Sequence, residues 1–472
     1  NDVLSPVTLG PSSSNTCGPF RLASMCRQLL GEPPLSLAMT MAEDGGYSDT
    51  FYSMQSDLAS IAGLLGKDFL TYPLRHAYED AEEEGLTWAF QFSTSIPIYP
   101  SEQAKMTIGG KTRTITVTGV SWGGGDVEIT EINGNPVSLK GKEYVIVIFF
   151  KDNSIQICSE RITSENAELK QRDAEKDPQV SYAVILSPVH PFCSGKNTPV
   201  PFSSAAELLQ AARENKTPLW KLALEYESAV TGASKEELLA YADTLYQTAL
   251  ASIKEGLRKN ISFEGVTTAK ASAYEAALNE GRLIPLGASD KGCLDALSIM
   301  EYSNSHGKIV CMPTGGASGI VPAAIKNTAE KMGISYEKQL QALLVAGLTG
   351  LFFYPTHYSG AIGCQAEIGI AIAMAAAGLT SLMTEEPKTI ETAASLGAQS
   401  VMGMVCNPID GYVQVPCIVR NMTAVPTAMV CANAAVSGMD SIIPLDSTVE
   451  LILEIGKKIR PCNRAGTYIT KK

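Results

Sequence analysis

Two long uncharged stretches, residues 342–354 and 368–379, most constrain how this chain folds. Each would be apolar on every side of a helix, and each is well short of the roughly 20 residues that a membrane span needs. A helix that is apolar all round has to be covered by other elements, so we expect both stretches to lie inside a helical bundle. Hydrophobic residues make up 45% of the 472 residues and charged residues 18%, which is typical of a globular protein.

The second part of the chain carries helical spacing and helix-forming residues almost throughout. Ser234 stands before a lysine and two glutamates, which predicts an N-cap at the start of one of these helices. The predicted helices lie at 204–215, 218–230, 235–258, 267–279, 336–350, 365–378 and 447–458.

The first part of the chain has a different pattern. Short helices are predicted at 21–30 and 57–66, and strands at 87–98 and 143–150. Residues 111–120 and 127–132 alternate around a glycine-rich turn, which predicts a hairpin.

The predicted fold class is therefore α+β. An N-terminal α/β domain (1–185) is followed by a linker rich in Pro, Ser and Asn (186–203) and by a mostly α-helical catalytic domain (204–472).

Charge and cysteine usage limit the partners and the compartment. The net charge is −12 and no Lys/Arg cluster stands out, so we expect neither nucleic acid nor a membrane as a partner. The 11 cysteines are odd in number and scattered, which favours reduced thiols in the cytoplasm over a disulfide framework. We also expect no secretory leader.

Three polar or glycine-rich segments interrupt the helical part, at 304–319, 359–367 and 406–417. Cys364 is predicted to lie at a helix N-terminus, where the helix dipole favours a thiolate. Cys406 and Cys417 are separated by an Asp-Gly turn that can bring them back to one point. Because the paired spacing of a structural zinc site is absent, three thiolates suggest a catalytic cluster. The alternative is that all three are ordinary core cysteines.

At these residues the chain resembles the iron–sulfur-dependent L-serine dehydratases (L-serine ammonia-lyases), with their beta and alpha parts fused. The segments SGAIGCQAEIG, CNPIDGYVQVPC and NSHGKIVCMPTGGASGIVPA resemble the alpha part, and GPSSSNTCGP and VSWGGGDVEITEING resemble the beta part. The resemblance implies an oxygen-sensitive [4Fe-4S] cluster held by Cys364, Cys406 and Cys417. It also implies no pyridoxal phosphate, because iron activates the leaving group.

The resemblance also implies which loops hold the substrate. Short hydroxyls and free backbone N–H groups suit a carboxylate. The implied substrate-binding residues are Ser12, Ser13, Ser14, Asn15, Thr16, Thr314, Gly315 and Ser318.

This sequence departs from the family at its histidines. Asn15 and Tyr47 occupy positions where the family has histidine, and only four histidines are present in the whole chain. Asparagine cannot take a proton, and tyrosine does so only when its pKa is strongly lowered. His306 and His357 flank the motif loops and are possible substitutes, although each also fits a hydrogen-bonded loop histidine. The sequence leaves the catalytic base unknown.

Three functions stay open at this stage. The default is elimination from L-serine to give pyruvate and ammonia. The first alternative applies the same cluster to another substrate, as a cysteine desulfidase or another hydroxy-amino-acid dehydratase. The second is a catalytically silent amino-acid-binding paralogue. In each case we expect a small amino acid as the ligand and a homodimer as the assembly.

Overall fold

The structure of the chain is a computed structural model that describes residues 6–100, 102–160, 162–192, 199–356 and 362–459. Its contacts divide the chain into two compact units. The sheet unit is Ser14–Gly195, and the helical unit combines Asn1–Ser13 with Lys196–Lys472.

Strands and helices follow one another in an order that matches the two-part character of the sequence. The described strands are β1 (Val7–Leu9), β2 (Ser36–Ala42), β3 (Thr87–Ser93), β4 (Gln103–Gly109), β5 (Thr114–Gly123), β6 (Asp126–Ile132), β7 (Asn135–Leu139), β8 (Val145–Phe150), β9 (Ile155–Cys158), β10 (Val180–Leu186) and β11 (Lys308–Val310). The described helices are α1 (Gly18–Leu30), α2 (Ser56–Leu64), α3 (Ala77–Glu83), α4 (Ala167–Ala174), α5 (Ala205–Asn215), α6 (Leu219–Thr231), α7 (Lys235–Gly256), α8 (Ala271–Asn279), α9 (Ser289–Asn304), α10 (Ile320–Met332), α11 (Tyr336–Leu351), α12 (Ile368–Met383), α13 (Pro387–Gln399), α14 (Gln414–Val436) and α15 (Leu445–Ile459).

The sheet unit contains a six-stranded sheet in the order β3-β2-β4-β5-β6-β7 and a three-stranded sheet in the order β10-β8-β9. Only the β2–β3 pair is parallel among the pairings of these two sheets. The predicted hairpin is confirmed as β5 and β6, which pair antiparallel. Gly124 and Gly125 form its turn at positive φ, which residues with a side chain rarely adopt.

Helix α1 supplies much of the core of the sheet unit. It packs against α2 and β5, and its side chains Leu22, Met25 and Leu29 are fully buried. Strand β4 alternates buried and more exposed residues, so one face of the sheet meets this core.

Helix α12 lies at the centre of the helical unit, where α10, α11, α13 and α14 all pack against it. Every residue from Ile368 to Thr380 is buried. The small residues of α12 permit close approach, because a Cβ added at Gly378 would lie 3.0 Å from the carbonyl oxygen of Ala342 on α11. The prediction that residues 368–379 form a helix covered on all sides is confirmed.

Two stretches, Cys364–Met383 and Gln414–Val436, are long and apolar enough by composition to cross a membrane. However, 78% of the apolar window in the first and 50% of that in the second is buried inside the protein. Core helices pass the same test of length and composition, so the result is weak support for a membrane span.

The α+β fold class is confirmed, with strands concentrated in the first part and helices in the second. The contacts group the first 13 residues with the helical unit, whereas the sequence grouped them with the N-terminal domain. The physical reason is the antiparallel pairing of β1 with β11, which matches Val7 with Val310 and Leu9 with Lys308.

Candidate metal centre and adjoining substrate loop

Cys364 stands in a tightly fixed segment that precedes α12. The sequence predicted an α-helix from residue 365, but Cys364–Ala366 is a single 3-10 turn and α12 begins at Ile368. Gly363 has φ +88°, and a Cβ there would lie 2.5 Å from the carbonyl oxygen of Met404. Only glycine fits this position without strain. The preceding residues 359–361 lie outside the described part of the chain.

Gln365 fixes the same segment from the inside. Its side chain accepts a hydrogen bond from the N–H of Gly403 at 2.9 Å and donates to the carbonyls of Ile362 and Ile452 at 2.9 and 3.2 Å. This buried amide therefore joins the Cys364 segment to the chain that leads into Cys406.

A tight turn lies between Cys406 and Cys417, as the sequence predicted. Ile409 and Tyr412 exchange both backbone hydrogen bonds at 2.8 Å around Asp410-Gly411. Both turn residues have positive φ, at 46° and 78°. The chain then enters α14, so that Cys417 falls in the first turn of that helix.

The three predicted cysteines lie together in the helical unit and are free thiols. The side chains of Cys364, Cys406 and Cys417 are 1%, 9% and 7% exposed, so each is shielded from water. A hydrogen bond with Cys406, burial and the nearby charges of Cys406, Cys417 and Glu367 raise the pKa of Cys364 well above its usual range. Burial, with the charges of Glu367 and Cys406, likewise raises the pKa of Cys417. Such thiols are poor nucleophiles unless a metal deprotonates them.

Among the residues that the structure describes, no three His, Cys, Asp or Glu side chains converge closely enough to hold a single metal ion. A single ion needs its sulfur ligands at about 2.3 Å from a common centre. In an iron–sulfur cluster each cysteine binds a different iron, so the sulfurs are spaced around the cluster instead. Cys364 lies within hydrogen-bond reach of Cys406 and within range of the charge of Cys417, and three thiols are a donor set that an iron–sulfur cluster can use.

The predicted substrate loop 314–319 lies beside this trio. Asn421 on α14 donates to the carbonyl of Gly316 at 2.8 Å and accepts from the N–H of Gly319 at 3.1 Å. A Cβ added at Gly316 would lie 3.6 Å from Oε1 of Glu367, whose charge also acts on Cys364 and Cys417.

The hydroxyl of Thr314 is buried and has no hydrogen-bond partner among the described residues. The N–H of Gly315 donates to Oγ of Ser13 at 3.3 Å, so the loop also meets the first residues of the chain. A Cβ added at Gly315 would lie 3.1 Å from the N atom of Ser13 and 3.4 Å from the carbonyl carbon of Ser12. Ser318 is buried with its hydroxyl 3.6 Å from the sulfur of Met300.

The remaining predicted loop residues belong to the sheet unit, because the boundary between units falls between Ser13 and Ser14. Asn15 donates to Oγ of Ser14 at 3.1 Å and accepts from Oγ1 of Thr50 at 3.2 Å. The hydroxyl of Thr16 donates to the carbonyl of Met54 at 2.8 Å. The polar groups of Asn15 and Thr16 are thus bonded within their own unit.

Tyr47 is buried in the apolar core of the sheet unit, edge-on to the ring of Phe51. Burial and the charge of Glu102 raise its pKa well above the usual range. A phenol in this environment keeps its proton at neutral pH and cannot act as a base.

His306 lies two residues beyond the end of α9, and its Nδ1 is 3.3 Å from the carbonyl oxygen of Gly10. A hydrogen bond to this carbonyl makes Nδ1 the protonated nitrogen and leaves Nε2 as a proton acceptor. Burial lowers the pKa of His306, so the ring is neutral near pH 7. His357 lies outside the described residues.

Glu367 and Asn421 are candidate site residues to which the sequence analysis assigned no role. Both stand inside or beside the recognised motifs, in SGAIGCQAEIG and directly after CNPIDGYVQVPC. Their position in those motifs was the only signal, because what each side chain contacts depends on how the segments come together.

Comparison with known proteins places this chain in a family. The sequence model of the family described as "Serine dehydratase alpha chain" matches residues 214–465, more than half of the chain. L-serine dehydratase 1 of Escherichia coli K12 is 34% identical over 286 residues, which cover 58% of this chain and 63% of that protein. The L-serine dehydratase alpha chain of Peptoniphilus asaccharolyticus is 31% identical over 261 residues, covering 54% and 89%.

The relatives show the class of protein: the chain is an enzyme of the ammonia-lyase type. Within that class it belongs to the serine dehydratase alpha-chain family. The match spans 63% of the Escherichia coli protein but 89% of the separate alpha chain, and the family model begins at residue 214. The resemblance of the first part to a beta part stays a prediction.

Proposed function

We propose that this chain is a [4Fe-4S]-dependent lyase that converts L-serine to pyruvate and ammonia. The observation that carries the proposal is the trio of Cys364, Cys406 and Cys417 beside a loop in which the buried hydroxyl of Thr314 has no partner among the described residues. Buried polar groups are normally paired, so an orphan hydroxyl on a loop beside three neighbouring thiols is suited to a ligand. The names of the relatives support serine as that ligand.

In this proposal the three cysteines hold the cluster, each as a thiolate. When bound, the cluster supplies a Lewis acid that activates the substrate hydroxyl as a leaving group. The dry surroundings of the thiols strengthen this polarisation, because charges interact more strongly away from water.

The loop 314–319 binds and orients the substrate. Thr314 offers its hydroxyl to the substrate carboxylate, and Asn421 holds the backbone of the loop in place through Gly316 and Gly319. Glu367 places a negative charge beside the same loop, which suits the substrate ammonium group.

The elimination also requires a base that removes the Cα proton while the Cβ–O bond breaks and water leaves. The aminoacrylate product tautomerises to an imine, and water hydrolyses this to pyruvate and ammonia. Among the described residues, His306 is the base that we propose. Its Nδ1 bond to Gly10 keeps Nε2 free of a proton, and its lowered pKa keeps the ring neutral.

A second candidate is the same chemistry with the thiol of cysteine as the leaving group. The loss of basic groups at Asn15 and Tyr47 favours it, because a thiolate departs more readily than hydroxide and requires less help from acid–base groups. A cytoplasmic, oxygen-sensitive homodimer is part of either proposal.

An anaerobic substrate panel tests the proposal. Protein with its cluster reconstituted is given L-serine, L-threonine and L-cysteine in turn, with ammonia, sulfide and the keto acid measured. We expect the highest kcat/KM for serine. Sulfide release with cysteine as the best substrate would favour the second candidate function over serine dehydration. Serine binding without turnover of any substrate would show a silent amino-acid-binding protein.

A further inference from the structure

One arginine on α14 contacts both of the other cysteine-bearing segments. Arg420 follows Cys417 by three residues, which places the two side chains on the same face of the helix. Its Nη1 donates to Sγ of Cys364 at 3.0 Å, and its Nη2 donates to Oδ1 of Asn407 at 2.7 Å. Asn407 directly follows Cys406 in the chain.

The geometry of these two bonds requires a guanidinium group. Two nitrogens of one planar fork reach two acceptors on different segments at the same time. A lysine ammonium is a single point and cannot hold the same two acceptors in a fixed arrangement. Arg420 therefore joins the segments of Cys364, Cys406 and Cys417 through one rigid group.

The charge of Arg420 has a second consequence. Glu367 is a negative charge in the same shielded site, and charges there interact strongly. Arg420 supplies a permanent positive charge directly at one of the sulfurs. Hydrogen bonds to cluster sulfurs are also one of the means by which a protein sets a cluster's reduction potential.

We propose that Arg420 is a positioning residue for the cluster, one that preassembles the three cysteine-bearing segments and raises the reduction potential through its bond to Cys364. The inference rests on the proposed three-cysteine cluster. Arg420 thus has a role in cluster assembly, whereas its neighbour Asn421 holds the substrate loop.

Cluster loading and potential, measured without any substrate, test this role. Wild type, Arg420→Gln, Arg420→Lys and Asn407→Ala are reconstituted anaerobically with limiting iron and sulfide, and iron and sulfide per chain are counted. The matched control is Arg282→Gln, which replaces an exposed arginine paired with Glu280. The midpoint potential of each loaded protein is then measured by spectroelectrochemistry.

We expect the control to load like the wild type and Arg420→Gln to load roughly ten-fold less, with a lower potential. Arg420→Lys falls between them because it keeps the charge but loses the fork. In Asn407→Ala, Arg420 keeps its bond to Cys364 but loses its link to the segment of Cys406. We therefore expect this variant to load less well while its potential stays near that of the wild type.

Two negative results have different meanings. Wild type that binds no iron and sulfide would remove the proposed function itself. Wild-type loading and potential in Arg420→Gln would overturn the role of Arg420 while leaving the cluster intact. Circular dichroism shows whether Arg420→Gln folds. If it does not, unchanged loading in both Arg420→Lys and Asn407→Ala overturns the inference.

Discussion

The candidate substrate loop of the helical unit differs in its polar contacts from Asn15 and Tyr47 of the sheet unit, the two positions where the family resemblance predicts histidine. In the helical unit, the hydroxyl of Thr314 has no hydrogen-bond partner among the described residues, and three buried thiols neighbour one another. In the sheet unit, Asn15 is bonded to Thr50 and Tyr47 is a protonated phenol in an apolar core. From this contrast we expect the thiols and the Thr314 loop of the helical unit to take part in chemistry, and we expect Tyr47 to serve packing.

The largest effect that this contrast predicts comes from a ligand cysteine. Cys417 and Cys431 both lie on α14 and are 7% and 8% exposed, which makes them a matched pair. We expect Cys417→Ala to lose the cluster and all lyase activity, because two thiolates do not hold it. Cys431→Ala keeps both. Iron and sulfide analysis with an ammonia assay checks this, and equal loading of the two variants would refute the ligand set.

The next largest effect is expected at His306. Its φ of +61° is tolerated by asparagine, whose side-chain amide can still donate to the carbonyl of Gly10. We therefore expect His306→Asn to fold and to bind its cluster while kcat falls by about 10²–10⁴-fold, the usual contribution of a general base. His76→Asn is the control, since His76 is on the exposed surface of the sheet unit. Unchanged kcat in His306→Asn would exclude His306 as the base.

The same variant changes how stability depends on pH. Burial lowers the pKa of His306 in the folded protein, so below about pH 6.5 the unfolded chain binds more protons than the folded one. The free energy of unfolding contributed by the neutral ring is complete above about pH 6.5 and is lost as the pH falls toward the folded pKa. Urea unfolding of His306→Asn should show a shallower loss of stability on acidification than the wild type.

How much of the fold the sequence predicts depends on whether the signal is local. The helix at 235–258 has a strong local signal and is found as Lys235–Gly256, with Ser234 and Glu237 forming a reciprocal cap. Helices α9, α10, α13 and α14 of the helical unit are not among the predicted helices, and α14 contains Pro426, a residue type that normally breaks a helix. The pairing of β1 with β11 joins residues about 300 apart in the chain, and no local pattern indicates it.

The same distinction applies to the candidate site. The Asp410-Gly411 turn is a local signal, and the structure contains it. The contacts of Asn421 with Gly316 and of Gln365 with Gly403 bring together separate segments of the chain. Those contacts follow from how the helices pack around α12, which the sequence indicates only in outline.

A smaller effect is expected from the unpartnered hydroxyl of Thr314. Thr314→Val keeps the shape of the side chain but removes the hydroxyl, and we expect KM for serine to rise about ten-fold, the value of one lost hydrogen bond of roughly 1.4 kcal/mol. Thr314→Ser keeps the hydroxyl and should stay near the wild-type KM. Because the hydroxyl has no hydrogen-bond partner among the described residues, the valine variant should be at least as stable as the wild type in urea. An unchanged KM in both variants would place the substrate away from this loop.

The smallest effect is expected at Tyr47, which tests directly whether a residue of the sheet unit takes part in catalysis. The hydroxyl is buried without a hydrogen-bond partner among the described residues, and the ring packs edge-on against Phe51. Tyr47→Phe keeps the ring and removes a buried polar atom, so the free energy of unfolding should be unchanged or rise by about 1 kcal/mol. Since the raised pKa prevents Tyr47 from taking a proton, kcat and its pH profile should stay as in the wild type. Steady-state kinetics across pH, beside urea unfolding, measures both quantities. A loss of kcat in a stable Tyr47→Phe variant would show that Tyr47, and with it the sheet unit, takes part in the reaction.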